Sequence, residues 1–515
     1  MKVFLMHAER DFDAGAELPA NAAALVQDLG LGAVFAAMAG EDKFLRAVAE
    51  KGVLLNLTGV EEILYRQAVL RDCQANEAVI REIYALAAEA IETERKQFWG
   101  GLSRNPGYVL HRSVEVLEMF TGMLRRLRRI AEERRGGFDS AGFRRFFAML
   151  VEELSDEYFR AIERHLRMLR FRGGVLMSAA LRTGMKGRAY VLRKPKEDGR
   201  GWLGRLLGRG PTAYTYRLHP RDEAGGRMLS ELRDRGINLV ANAVARSTDH
   251  ILSFFTLLRT ELAFYVGCLN LGAALAGKGQ SVAFPRPAPQ GERRFLCKGL
   301  YDPGLQLSMT GWVIGNDVNA EGKTIVVITG ANQGGKSTFL RSVGLAYLMM
   351  QSGMFVAADE FAAAVGSGLF THFKREEDAT MKSGKLEEEL ARMDGVAEHV
   401  RSEAVILFNE SFAATNEREG SEIARQVVYA LLDARVRVFF VTHMYDFASS
   451  VREARAGEAL FLRAERAAEG GRSFRMIEAE PLDTSFGEDL YRKIFGEEED
   501  EQEDEAPAVR RVSAA

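Results

Sequence analysis

Cysteine is scarce: Cys73, Cys268 and Cys297 are the only three in 515 residues, widely spaced and odd in number. That excludes a disulfide framework and suits a reducing cytosol, with buried thiols as the plain reading. There is no CxxC pair and no Cys/His cluster, so the common zinc modules are excluded too. No apolar run approaches the ~18 residues that a membrane span needs. The opening "MKVFLMHAERDFD" has one lysine and a short apolar patch before charges begin, so it lacks the core and cleavage site of a secretory signal. These absences point to the cytoplasm and to no membrane partner. Excess charge of one sign is missing as well. The net charge is −3, so overall composition does not announce a nucleic-acid binder.

What is present is a long chain of ordinary globular composition, 47% hydrophobic and 27% charged, too long for one core. Its charge is unevenly placed. Residues 182–209 hold nine basic side chains (Arg182, Lys186, Arg188, Arg193, Lys194, Lys196, Arg200, Arg205, Arg209) against Glu197 and Asp198, a net of +7. At the other end, "EEEDEQEDE" (497–505) holds eight acids in nine residues. Such a chain can carry a basic working surface and an acidic tail at once.

Periodicity divides the chain. Residues 1–180 read as helices, with apolar positions recurring at three and four, as in "VEVLEMFTGMLRRLRRIAEERR". The Arg-rich face of 125–135 is either a solvated helix face or a phosphate contact. Within 181–222, "GRAYVLRK" (187–194) and "AYTYRLH" (213–219) alternate as two strands, joined by a Gly/Arg-rich loop containing Trp202. That loop is either merely soluble or a contact for a phosphate backbone. Residues 223–284 return to helical period, read as a helix pair joined near Gly236 or Ser247-Thr248. Phe254, Phe255, Phe264 and Tyr265 are expected in its core. After "PRPAP" (285–289) the pattern changes to alternating strands (295–300, 324–329, 404–408, 437–442) and helices (337–351, 386–400, 419–433). This predicts a mostly parallel sheet with helices on both faces over 285–492. Residues 493–515 form the acidic tail.

The chemistry is concentrated in that last region. "TIVVITGANQGGKSTFL" (324–340) is a strand, a Gly-rich turn and a helix, and Gly330, Gly335, Lys336 and Ser337 complete G-x-x-x-x-G-K-[ST]. Backbone amides of Gly330 through Gly335 (Ala331, Asn332, Gln333 and Gly334 between them) can curl around phosphates. Lys336 reaches the outer oxygens, Ser337 ligates magnesium, and Thr338 lies beside it in the helix's first turn. A second strand ends in Asn409 and Glu410, where nucleotide hydrolases often carry Asp-Glu. Glu410 is placed to orient or deprotonate a water. Asn409 keeps an oxygen for the metal's hydration shell but removes a charge, which predicts weaker magnesium binding and slow hydrolysis. "VRVFFVTHMYDF" places His443 at the carboxyl edge of a third strand, where ligands bind in open α/β sheets.

These motifs resemble the MutS family. "TGANQGGKST" is similar to TGPNMGGKST, with Ala331 for Pro and Gln333 for Met. "FNESFAATNEREGSEIA" (408–424) aligns with DE-x-x-x-GT-x-x-x-DG-x-x-x-A, keeping Glu410, Thr415, Glu419 and Gly420. "VTHMYDF" is similar to THY-x-E-L, "VIGND" (313–317) to VPND, and "EEILYRQAVLRDC" (61–73) to the core-domain R-x-x-V-x-x-L. The resemblance implies an all-α core and lever domain with a small β excursion, followed by an α/β P-loop (ABC-type) ATPase domain. It also implies a homodimer with ATP and Mg2+ at a composite interface, and DNA as partner. In the family a Ser-Thr-Phe segment crosses to the partner's nucleotide. "MKSGKLEEEL" (381–390) keeps only Ser383, Gly384 and the Glu389-Leu390 end, so Ser383 is the candidate trans contact. The adenine-stacking aromatic falls near Val313, beside Trp312. The family's N-terminal mismatch-reading domain and C-terminal Smr nuclease domain have no counterpart in these residues, and the acidic tail is a candidate dock for a repair partner. A nucleotide-gated protein scaffold with little DNA affinity is the alternative.

Overall fold

A computed structural model describes residues 1–98, 105–172, 174–183, 186–194, 215, 217–375, 384–466 and 472–482. The chain divides into two compact units, residues 1–313 with 342–367, and residues 314–341 with 368–515. The division therefore falls at Val313/Ile314, not at the Pro-rich 285–289 stretch. The reason is packing: the rings of Phe295, Tyr347 and Phe361 interlock, tying strand Phe295–Leu300 and the end of helix Lys336–Gln351 into the first unit. There Glu360–Ala364 pairs antiparallel with Phe295–Leu300 and parallel with Arg286–Ala288.

The helical part of the first unit is built on one helix, Glu223–Gly277, 55 residues long. The expected break at Gly236 or Ser247-Thr248 does not occur. Gly236 is small because the strand at Met177 lies against it, and a Cβ there would overlap Met177 Sδ. The Ser247 and Thr248 hydroxyls return to the carbonyls of Ala243 and Val244, so they follow the helix and do not interrupt it. By length and composition this helix could cross a bilayer, but 72% of its apolar stretch is buried, as in a core helix. Phe254, Phe255, Phe264 and Tyr265 are among the buried residues, and the three cysteines are buried free thiols.

The buried centre of this unit is partly polar. Glu261, fully buried on the long helix, accepts the backbone N–H groups of Leu5, Met6 and Phe12. Arg66, also buried, donates to the carbonyls of Met6 and Ser352. The Arg-rich helix Pro106–Arg134 resolves as an ion-paired face: Arg125 to Glu163, Arg126 to Glu89, and Arg128 to Asp156.

The β excursion is a two-stranded antiparallel hairpin, Met177–Arg182 with Lys186–Leu192. The partner strand is thus 177–182, not 213–219, of which Thr215 and Arg217–His219 carry no strand. "MSAALR" has little β-branched or aromatic character, so it carries little strand signal of its own and is a strand through pairing with its neighbour. The Gly/Arg-rich loop through Arg209, the acidic tail and Ser383 lie outside the described residues.

The second unit is a six-stranded sheet in the order Arg472–Glu478, Ala459–Arg466, Ile325–Thr329, Arg437–Val441, Val405–Asn409, Leu369–Phe373. All neighbours are parallel except the first pair. The central strands are buried on both faces, which is why they read as unbroken apolar runs. Ile325, Val327, Ile406, Phe408, Val438 and Phe440 form one face, covered by helices Lys385–His399, Glu417–Asp433 and Tyr445–Arg455.

Candidate functional site

Strand Ile325–Thr329 lies between two parallel neighbours, so the turn after it emerges at the carboxyl edge of the sheet. The turn needs its glycines. Gly330 and Gly335 have φ of 112° and 90°, conformations that L side chains rarely adopt. A Cβ at Gly334 would come within 2.7 Å of Ala464 Cβ, and one at Gly335 within 3.5 Å of the Phe474 backbone. The loop is thus pressed against the hairpin of Ala459–Arg466 and Arg472–Glu478. Asn316, from the "VIGND" stretch, supports that hairpin by accepting the Met476 N–H at 2.7 Å.

Lys336 opens the helix that follows. Its Nζ, buried, donates to the carbonyls of Gly330 and Ala331, both at 2.9 Å. Burial lowers its pKa to about 8, against the pull of the Glu410 carboxylate and with help from the Arg472 charge. Ser337 Oγ donates to Asn409 Oδ1 at 2.9 Å, so the loop and the second motif meet across the intervening strand Arg437–Val441.

Glu410 follows Asn409 directly, with its N–H donating to the Val441 carbonyl and its φ at 53°. His443 closes the group. Its Nε2 lies 3.2 Å from Lys336 Nζ and 3.3 Å from Glu410 Oε1. An unprotonated Nε2 accepts from the ammonium and a protonated one donates to the carboxylate, so one ring nitrogen serves one neighbour at a time. Hydrogen bonding from His443 holds the Glu410 carboxyl below its usual range, with the Lys336 and Lys374 charges adding to it, against the opposing effect of burial.

Five residues from three segments far apart in sequence, Lys336 and Ser337, Asn409 and Glu410, and His443, therefore converge. Thr338 is half-buried in the helix's first turn, and Asn332 and Gln333 are exposed on the loop. Val313 belongs to the first unit, where it is buried and its N–H donates to Gln306 Oε1. Thr415 and Glu419 serve a helix start, since Thr415 donates to the Glu419 carboxylate while Asn416 caps the Glu419 N–H at 3.0 Å. Gly420 is required by close packing, because a Cβ there would strike the Phe412 carbonyl.

Two neighbours escaped the sequence reading. Arg472 Nη1 donates to Gln333 Oε1, and Lys374 donates its N–H to the Asn409 carbonyl at 2.9 Å. Neither belongs to a motif; strand pairing alone brings them here. As a metal site the group is sparse. Ser337 and Asn409 offer two neutral oxygens, and no group of three His, Cys, Asp or Glu able to hold a metal exists among the described residues. That suits a hard cation held mainly by a ligand's phosphates and water.

Comparison with known proteins supplies the family. A model described as the MutS2 N-terminal domain matches residues 58–278, and one described as MutS domain V matches residues 326–495. The DNA mismatch repair protein MutS of Chloroflexus aurantiacus is 29% identical over 231 residues, 44% of this chain and 24% of that protein. Its namesake from Lactobacillus helveticus is 29% identical over 229 residues, 41% of this chain and 26% of that protein. MutS protein homolog 4 of Mus musculus is 28% identical over 134 residues, 26% of this chain and 14% of that protein. The match spans about a quarter of the length of these bacterial relatives.

Proposed function

Because the chain belongs to the MutS family, we propose that it is a DNA-binding ATPase of the mismatch-repair type, working in the cytoplasm. In this reading it is a homodimeric clamp on duplex or branched DNA, switched by ATP with Mg2+ and hydrolysing slowly. The observation that carries the proposal is the meeting of Lys336, Ser337, Asn409, Glu410 and His443 at one edge of the second unit's sheet.

Each residue has a task there. The loop amides and the Lys336 ammonium bind the β- and γ-phosphates. Glu410 is ionised by its neighbours, accepts a proton from water and aims the oxygen at the γ-phosphorus. The new P–O bond forms as the bond to the β–γ bridging oxygen breaks, giving ADP and phosphate. His443 lies between the acceptor carboxylate and the phosphate-binding lysine, where it can report γ-phosphate loss. Ser337 and Asn409 would hold magnesium, which when bound neutralises phosphate charge. With Asn409 in place of a carboxylate, that hold is weak, which is why turnover is slow.

The test is ATP turnover with magnesium, with and without duplex, mismatched and branched DNA, at two salt concentrations. Stimulation that fades as salt rises supports a clamp, because phosphate contacts release counterions. Nucleotide binding without any DNA effect supports the protein-scaffold alternative, which the acidic 497–505 stretch favours as a dock for a repair partner.

A further inference from the structure

Glu410 is followed by two residues whose placement is unusually constrained. Glu410 and Phe412 both have left-handed backbones, with φ of 53° and 64°, a conformation that is strained for an L residue. Such a turn persists only where its surroundings hold it. Here the holding groups come from two other elements of the second unit.

Glu389, on helix Lys385–His399, is buried and extends its carboxylate to the Phe412 N–H, with Oε2 at 3.0 Å. His372, on strand Leu369–Phe373, is buried next to it. Its Nε2 lies 3.0 Å from the Glu389 carbonyl and its Nδ1 2.8 Å from Ser411 Oγ. A carbonyl can only accept, so Nε2 carries the proton; the Ser411 hydroxyl has one proton, shared between the His372 carbonyl and the ring's Nδ1. The ring is neutral: burial, then the Arg392 charge, lowers its pKa to about 4. Its face also stacks on Phe412, with centroids 5.3 Å apart and planes at 20°. Both residues after Glu410 are therefore held by polar groups that a merely apolar core would not require. A buried carboxylate is costly unless its hydrogen bond is needed.

We propose that Glu389 and His372 are positioning residues that fix the left-handed turn at Glu410, and through it the aim of the Glu410 carboxylate. Neither touches the phosphate loop. Their effect passes through the backbone of Ser411 and Phe412. The proposal rests on the reading of Glu410 as the group that activates water.

The test uses the full chain, with phosphate release for turnover and a fluescent-labelled ADP for binding, read separately. Glu389→Leu is expected to lower kcat about tenfold or more, since small misplacements of a reacting group cost that much, while ADP affinity stays within about threefold. Glu389→Gln keeps an acceptor oxygen for the Phe412 N–H and should recover most of the loss. Should Glu389→Leu fail to unfold cooperatively, Glu389→Asp serves instead: it withdraws the acceptor by one methylene and should lower kcat with binding unchanged. Equal loss of kcat in the Gln and Leu variants, or a loss of ADP affinity in step with kcat, overturns the proposal. Unaltered turnover in Glu410→Gln would instead overturn the reading of Glu410 itself.

Discussion

Lys336 offers a quantitative test of the phosphate loop. Burial lowers its pKa to about 8 from the ordinary lysine value of 10.5. The sign follows from which state binds the proton. A polyphosphate needs the ammonium and, once bound, raises its pKa back towards the ordinary lysine value. Binding therefore takes up a proton in the window between about 8 and 10.5, so affinity is full below pH 8 and falls as pH rises through it. With a pKa of 8, about nine in ten Lys336 side chains are charged at pH 7 and about three in a hundred at pH 9.5. If the bound-state pKa returns to 10.5, the affinity for ADP should drop roughly 25- to 30-fold between those two pH values. The phosphates do not titrate in this range, because their last proton is lost near pH ~6. The assay is fluorescent-ADP titration at fixed ionic strength and saturating magnesium, on the wild-type chain and on Lys336→Arg. Arginine stays charged throughout and should remove the slope even if it weakens binding. A flat wild-type profile, or the same slope in Lys336→Arg, would refute the assignment of Lys336 as the titrating phosphate ligand.

Other perturbations reach other parts of the molecule. Asn409→Asp puts a carboxylate where an amide oxygen now accepts from Ser337 at 2.9 Å. It should lower the magnesium concentration needed for half-maximal turnover and raise kcat about three- to tenfold, read from magnesium titrations of phosphate release. Gly420→Ala places a methyl against the Phe412 carbonyl. It should cost about 1–3 kcal/mol of stability by urea denaturation and reduce turnover through the displaced Glu410 turn. Glu261→Leu leaves the N–H groups of Leu5, Met6 and Phe12 without their acceptor. A loss of roughly 3 kcal/mol or more is expected, at about 1 kcal/mol or more for each buried amide. Hydrogen exchange should show early opening of residues 3–12, and unchanged exchange there would contradict the role given to Glu261.

The second unit was largely legible from the sequence because its signals are local. Buried parallel strands read as continuous apolar runs, and the Gly-rich turn occurs where φ is 112° at Gly330 and 90° at Gly335, a region that favours glycine. The elements at 324–329, 404–408 and 437–442, and the helices between them, follow from these signals within a residue or two. So does the meeting of Lys336, Ser337, Asn409, Glu410 and His443, because the ends of neighbouring parallel strands lie at one sheet edge.

What tertiary structure decided is what no local signal carries. Gly236 and Ser247-Thr248 look like breaks until packing against Met177 and the i−4 hydroxyl bonds show a helix running through them. "MSAALR" pairs as a strand through its neighbour and not through its own propensity. The division at Val313/Ile314 follows ring packing around Phe295, which a linker-like Pro-rich stretch conceals. Arg472, Lys374, His372 and Glu389 reach the Glu410 neighbourhood only because particular strands and helices are adjacent. Sequence alone determined which residue types stand at the carboxyl edge of the second unit's sheet, since the conformational limits of glycine and the hydrophobic period act over a few residues. The three-dimensional packing determined which side chains hold Glu410 in place, since those contacts join residues that are distant in the chain.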